Sequence, residues 1–351
     1  MSLPRSPLDA WLAARTGLSG PEPEALARWQ MAALRRTLAW AREVCPFHAR
    51  RLAGVDPDGL DAPEDLAGLP RMAAGDLAAP GLLAVSQDAV ARVVSLDSSG
   101  SSGPAKRLFF SAADLSRTLD FFAVGMRTLC REGDAVLVLL PGRRENGVAD
   151  LLARALPEFG ARAVLPPEGL ALAELPAFAA SVGVAVLVAA PAQLRRLLGQ
   201  PPFAGVRAAL SSGEPLPEDL RAAVAAAWGC EVFDHWGMTE TGYGGGVECA
   251  AHAGYHLREA DLLVEVADPR TGAPLPPGKT GEILVTTLGP RALPLLRYRT
   301  GDAAAWLPGP CPCGSALRRL GPVRGRWNAD ASGLARPAKG WERAWTTCCA
   351  N

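Results

Sequence analysis

Between residues 135 and 233 the chain repeats one unit, a short run made almost wholly of apolar residues and then, in most cases, a stretch of helical periodicity. The runs are 135–140, 161–165, 184–189, 206–210 and 230–233, with helical stretches at 112–130, 147–157, 192–198 and 217–227. Apolar runs of four to six residues that do not alternate with polar ones suit strands buried on both faces. Helices between them supply the crossovers that parallel pairing requires. The expected fold class is therefore α/β, with parallel-rich layers. An amphipathic helix is expected before this region, over 24–45, where Leu26, Trp29, Ala33, Leu38 and Ala41 share a face and Pro46 ends the run. Past residue 255 the pattern changes to strands separated by turns, at 261–267, 282–287 and 303–307, with Asp268-Pro-Arg-Thr-Gly272 between the first two. From about residue 329 periodicity vanishes. The expected domains are a large unit over 1–328, α/β to about 250 and β-rich over 251–328, and a disordered tail over 329–351.

Charge narrows the function classes. The chain has 36 basic and 36 acidic side chains, so it exerts no overall pull on phosphate polymers or anionic membranes, and neither nucleic acid nor membrane is expected as a partner. No apolar run reaches the roughly 18 residues that span a bilayer, and the first ten residues lack the apolar segment of a signal peptide. The expected location is cytoplasmic. Eight cysteines in 351 residues are too sparse for a disulfide framework, and a Cys-x-Cys pair in a reducing compartment points to metal.

Three segments carry chemistry. Ser98-Ser-Gly-Ser-Ser-Gly-Pro-Ala-Lys106 lies between two strand-like runs. Small residues let backbone N–H groups approach an anion, hydroxyls add donors and Lys106 adds charge, which together suit a polyphosphate. It is not a Walker A loop, because the lysine does not follow a glycine at the opening of a helix; a flexible Ser/Gly loop is the alternative. Asp234-His-Trp-Gly-Met-Thr-Glu240 follows a strand, where α/β folds place ligands, and a glutamate beside phosphates can hold Mg²⁺. In Arg297-Tyr-Arg-Thr-Gly-Asp302 the aspartate can accept both hydroxyls of a ribose, though by itself the segment reads as a solvated turn.

With all three in this order, the sequence resembles the adenylate-forming superfamily of acyl-CoA synthetases and ligases, in its phenylacetate–CoA ligase-like branch. The likeness runs from about Gln30 through Cys45-Pro-Phe-His48, the Ser/Gly loop, Ser211-Ser-Gly-Glu-Pro215, Trp236-Gly-Met-Thr-Glu240, Gly254-Tyr-His256, Gly281-Glu282 and the 296–302 segment to Gly325-Arg326. The resemblance implies that Ser98, Ser99, Gly100, Ser101, Ser102 and Gly103 wrap the β- and γ-phosphates of ATP with Lys106 assisting. It implies that Gly213, Glu214 and Pro215 lie along the adenine, and that Trp236, where the family usually has tyrosine, stacks on the base beside Gly237. Thr239 would touch the α-phosphate, Glu240 would bind Mg²⁺, Asp302 would hold the ribose and Arg326 would contact ribose or phosphate. The implied reaction is adenylation of a carboxylic acid, aryl by the branch name, followed by transfer to coenzyme A.

Cys249, Cys311 and Cys313 with His256 form the expected structural Zn²⁺ site, His252 being the competing ligand. The alternative is a buried Cys249 and two loop thiols. Gly242-Tyr-Gly-Gly-Gly246 is expected to border the acyl pocket; His235 either lines it or is a packed, hydrogen-bonded core residue. Arg143 and Arg144 either meet coenzyme A phosphates or sit on a solvated loop.

The resemblance also implies a further small mobile domain whose lysine neutralises charge during adenylation. Lys339, the one lysine after residue 302, lies in surroundings unlike that segment, and Trp327-Asn328-Ala329 replaces the expected acidic hinge pair. Three readings follow: an adenylating ligase, slow or completed by a partner or a second copy; an ATP- and acyl-binding pseudoenzyme; and a zinc-organised interaction module.

Overall fold

The computed structural model describes residues 3–20, 22–96, 106–327 and 334–335. The Ser98–Gly103 loop, Lys339 and the Cys348-Cys349 pair lie outside them. Three helices open the chain: α1 (Leu8–Thr16), α2 (Pro23–Val44) and α3 (Pro46–Arg51). In α2, Leu26, Gln30, Leu34, Leu38 and Ala41 are buried at helical spacing, and proline occupies the start of both α2 and α3, where its missing N–H has no intrahelical partner to lose. Gln30 Nε2 donates to the carbonyl oxygens of Glu259 (2.8 Å) and Leu262 (3.2 Å). A buried polar side chain thus fixes this helix to the second half of the chain.

Strands β1 (Val90–Leu96) and β2 (Lys106–Ser111) pair antiparallel and flank the Ser/Gly segment. Then α4 (Ala112–Met126) begins with a capping box: Ser111 Oγ accepts from the Asp114 N–H (3.2 Å), and Asp114 Oδ2 accepts from the Ser111 N–H (2.9 Å). Ser111→Ala is expected to lower stability by about 1 kcal/mol, read as a lower urea midpoint at unchanged m-value; an unaltered midpoint would show that the cap contributes nothing.

The alternating region folds as β3 (Ala135–Val138), α5 (Val148–Ala155), β4 (Arg162–Val164), α6 (Leu175–Ser181), β5 (Val184–Ala189), α7 (Pro191–Leu197), β6 (Ala208–Ser211), α8 (Glu218–Trp228) and β7 (Glu231–Trp236). These strands are parallel in the order β4-β3-β5-β6-β7, as the uninterrupted apolar runs require.

The sheet does not stop there. β8 (Gly246–Glu248), β9 (Tyr255–Leu257), β13 (Trp306–Leu307) and β14 (Arg319–Leu320) continue it antiparallel in the order β7-β8-β9-β14-β13, making nine strands. The expected division near residue 250 therefore does not separate two sheets, because strands from the β-rich part complete the large one. A second sheet contains β10 (Leu262–Ala267), β11 (Gly281–Thr287), β12 (Tyr298–Ala304), β15 (Gly325–Trp327) and β16 (Leu334–Ala335). Two further corrections follow. Residues 298–302 are not a solvated turn but part of β12, and Leu334–Ala335, in the segment expected to be disordered, pair with Arg326 and Trp327.

Charged residues in this second half are buried as pairs. Arg297 (1% exposed) meets Glu265 at 2.8 Å, and Arg258 (2% exposed) meets Asp261 at 2.8 Å. Among the described residues no helix is long and apolar enough to cross a membrane.

Candidate active site

The carboxyl ends of the parallel strands converge on a cavity, the usual ligand position in open α/β sheets. Leu140 follows β3, Val188 is next to last in β5, Ser212 and Gly213 follow β6, and His235 stands near the end of β7. The opposite wall is α4, through Phe121, Phe122 and Met126, and Tyr243 also lines the space. Thr239 and Gly237 stand at the rim formed by the loop after β7.

A cluster of polar groups lies on that same loop and on β12 and β15. Asp302 and Arg326 are cross-strand neighbours, and Arg326 Nε donates to Asp302 Oδ1 at 2.9 Å. Burial opposes the charge of Arg326, but Asp302 and then Glu240 outweigh it and hold its pKa above the ordinary value. The Tyr298 hydroxyl donates to Glu240 Oε1 at 3.0 Å. Tyr298 is 2% exposed, and burial first, then the Glu240 charge, push its phenol far up, so it remains a neutral donor. Tyr298→Phe keeps the Glu240 carboxylate but frees it to rotate. Its expected result is a loss of about tenfold in turnover with little change in fold, from the typical worth of a hydrogen bond to a charged group; undiminished turnover would remove Tyr298 from the site.

Trp236 requires a correction. Its ring is 4% exposed, within an apolar cluster that includes Leu257 and Ile283, and its Nε1 donates to Asp302 Oδ2 at 3.2 Å. A Cβ on Gly245 would come within 2.5 Å of the indole, so glycine is what admits the ring there. With its faces packed and its N–H committed to Asp302, Trp236 has no open face on which a base could stack. Gly213 lines the cavity with Thr239, while Glu214 and Pro215 continue the same loop after β6. Lys106 opens β2. Arg143 and Arg144 are exposed, and Arg143 Nη1 donates to the Pro166 carbonyl at 2.7 Å; neither lines the cavity.

Sequence reasoning missed Tyr298, Ser212 and the aromatic wall of α4. The first was hidden by its charged neighbours, while Phe121 and Phe122 carried a usable signal as adjacent aromatics on an otherwise ordinary amphipathic helix.

A second constellation lies at the far end of the large sheet. Cys249 follows β8, His256 is in β9, and Cys311 and Cys313 occupy the turn between β13 and β14. All four are buried, and their ligand atoms lie within 4.8 Å of one another. Cys249 Sγ is 3.6 Å from Cys311 Sγ, and Cys313 Sγ is 3.6 Å from His256 Nε2. Ligand atoms about 2.0–2.3 Å from a tetrahedral Zn²⁺ are separated by about 3.5–3.8 Å, so the donor set fits the metal. Burial first, then Arg319, push the His256 imidazole down to about 4, which keeps it neutral as a ligand must be. His252 is engaged elsewhere, with Glu231 (2.9 Å) and Glu248 (3.3 Å).

Comparison with known proteins agrees with this geometry. Residues 91–290 match the family of AMP-binding enzymes. The chain is 32% identical to the phenylacetate–coenzyme A ligase of Thermus thermophilus over 327 residues, covering 87% of this chain and 72% of that one. It is 28% identical to the enzyme of the same name from Pseudomonas putida, covering 86% and 71%. Among solved structures, an open conformation of 2-hydroxyisobutyryl-CoA ligase in complex with 2-HIB-AMP and CoA superposes with a TM-score of 0.76 at 23% identity, over 86% of this chain and 74% of that one. This likeness gives the same fold, a parallel-rich α/β adenylation unit. The chain belongs to the AMP-binding enzymes, the adenylate-forming superfamily, in its phenylacetate–coenzyme A ligase-like branch of AMP-forming acid–thiol ligases.

Proposed function

We propose that the protein activates a carboxylic acid with an otherwise uncharged, predominantly apolar body, using ATP, and passes the acyl group to coenzyme A. The observation that carries this reading is the juxtaposition of an apolar cavity with the Thr239–Glu240 loop and the Asp302–Arg326 pair beside the carboxyl end of β7. An oxygen of the acid's carboxylate attacks the α-phosphorus of ATP, and the bond to pyrophosphate breaks. The coenzyme A thiol then attacks the acyl carbonyl, loses its proton and displaces AMP.

No protein nucleophile is needed, so catalysis rests on positioning and charge neutralisation. Asp302, held from both sides by Trp236 and Arg326, accepts from the ribose hydroxyls with its remaining lone pairs. Arg326, about half exposed, offers its other N–H groups to ribose or phosphate, and Thr239 donates to the α-phosphate. Gly213, Glu214 and Pro215 border the adenine. The Ser98–Gly103 loop and Lys106 cover the outer phosphates. Glu240, oriented by Tyr298, would hold Mg²⁺, which supplies charge neutralisation on the phosphates. The cysteine cluster with His256 would hold Zn²⁺ as a closed, structural site. The cytoplasm supplies ATP and coenzyme A together.

The test is acid-dependent exchange of labelled pyrophosphate into ATP across aryl and short-chain acids, followed by thioester formation with coenzyme A. Exchange with an apolar acid is expected; its absence with every acid would remove the adenylating reading. Nucleotide binding without exchange would leave the protein as a binding unit.

A further inference from the structure

We infer that the cavity selects acids whose apolar body bears one uncharged hydroxyl, read by His235 with Ser212 behind it. The inference rests on the adenylating reading and names the substrate class of that same site.

Among the described residues no Asp, Glu, Lys or Arg side chain lines the cavity. A second carboxylate or an ammonium group on the acid would enter it without a counter-charge, which burial of a charge strongly disfavours. Its polar side chains are few. Thr239 belongs to the nucleotide end, and the Tyr243 ring stacks on Phe110 with centroids 5.7 Å apart. Ser212 and His235 stand together as a hydrogen-bonded pair among Phe121, Val188 and Leu210.

His235 Nδ1 lies 3.2 Å from Ser212 Oγ, and His235 Nε2 has no hydrogen-bond partner among the described residues. The imidazole has little freedom to turn away. A Cβ on Gly237 would come within 2.9 Å of its Cε1, and Phe121 is tilted against it with centroids 6.5 Å apart. Burial first, then nearby Arg258, push its pKa down to about 4, so near neutrality it carries no charge with which to hold the reacting carboxylate. With Nδ1 committed to the serine, Nε2 is a donor in one tautomer and an acceptor in the other. A hydroxyl satisfies both, whereas a carbonyl or an ether oxygen satisfies only one. An acid without such a group strips water from Nε2 and returns nothing, which is how sites built around a substrate hydroxyl reject the analogue lacking it.

The test compares phenylacetate and benzoate with their 2-, 3- and 4-hydroxy isomers, on the full chain and on His235→Leu and Ser212→Ala. Each acid is measured by pyrophosphate exchange and, independently, by calorimetric binding. At least one hydroxy isomer is expected to exceed its parent acid by about 10- to 100-fold in kcat/KM. His235→Leu is expected to reverse that order, and Ser212→Ala to reduce the ratio severalfold, since it frees the tautomer without removing the imidazole. A wild-type preference for the parent acids would overturn the inference. So would an equal loss for every acid in His235→Leu, which would place the ring on the carboxylate or in a purely structural role. Exchange with some acid but no hydroxyl preference sinks this inference alone, whereas no exchange with any acid removes adenylation. Calorimetry then still reads the subsite: preference for a hydroxy isomer supports it, and equal or weaker binding of all isomers overturns it. If His235→Leu fails to fold, the wild-type ratios and Ser212→Ala decide the outcome.

Discussion

Glu240→Ala is expected to lower Mg²⁺-dependent pyrophosphate exchange by about 10²- to 10³-fold, the range found when one preorganised charge-stabilising group is removed. The carboxylate lies in the loop after β7 and accepts the Tyr298 hydroxyl at 3.0 Å. Its removal takes away the proposed anchor of the cation while leaving every strand of both sheets intact. The structural cost is limited to the buried Tyr298 hydroxyl losing its acceptor, about 1–3 kcal/mol. Activity and stability should therefore separate: circular dichroism unchanged, unfolding midpoint lowered by a few degrees, exchange nearly lost at every Mg²⁺ concentration. A variant that recovers full rate at high Mg²⁺ would show that Glu240 only tunes affinity. One with unaltered rate at all concentrations would remove it from the site.

The second large effect is expected at the cysteine cluster. Cys311→Ser replaces one of four buried ligands with a much weaker one and leaves two thiols and an imidazole around a hole. Structural Zn²⁺ sites contribute folding free energy directly, and losing this one should cost about 4 kcal/mol or more, on the order of 10 °C in Tm. Zinc measured by mass spectrometry should fall from one per chain to substoichiometric levels, and chelation of the wild type should lower its Tm in the same direction. Exchange activity per folded molecule should change far less, because Cys249 lies at the opposite end of β8 from the loop after β7. Full zinc content in Cys311→Ser, or a wild type that contains none, would remove the metal assignment.

What the sequence discloses depends on how local the determining physics is. The run Val184–Ala189 is apolar from end to end, so its place inside a parallel sheet is written into six consecutive residues. Arg297, Arg299 and Asp302 look like a solvated turn because each carries a charge whose partner is distant in the chain. Arg297 pairs with Glu265, Arg299 with Glu282 at 2.9 Å, and Asp302 with Trp236 and Arg326. Only the fold reveals that these charges find partners, so that Arg297 and Asp302 can be buried beside and within β12. Strands β13 and β14 have two residues each, too few to show any period. The cysteines were legible by type, whereas the grouping of His256 with them and of His252 with Glu231 and Glu248 depends on segments distant in the chain. Trp236 was legible as an aromatic in the right place, and its commitment to Asp302 was not.

The two ends of the large sheet have one more consequence. Both outermost strands are brief, three residues in β4 and two in β13, while the six-residue β5 and β7 are enclosed. A sheet grows into a polymer when an outer strand offers another chain a long row of free N–H and C=O groups. Edges this short offer few such groups. Self-association through this sheet should therefore begin where the loss of β4 uncovers the longer β3.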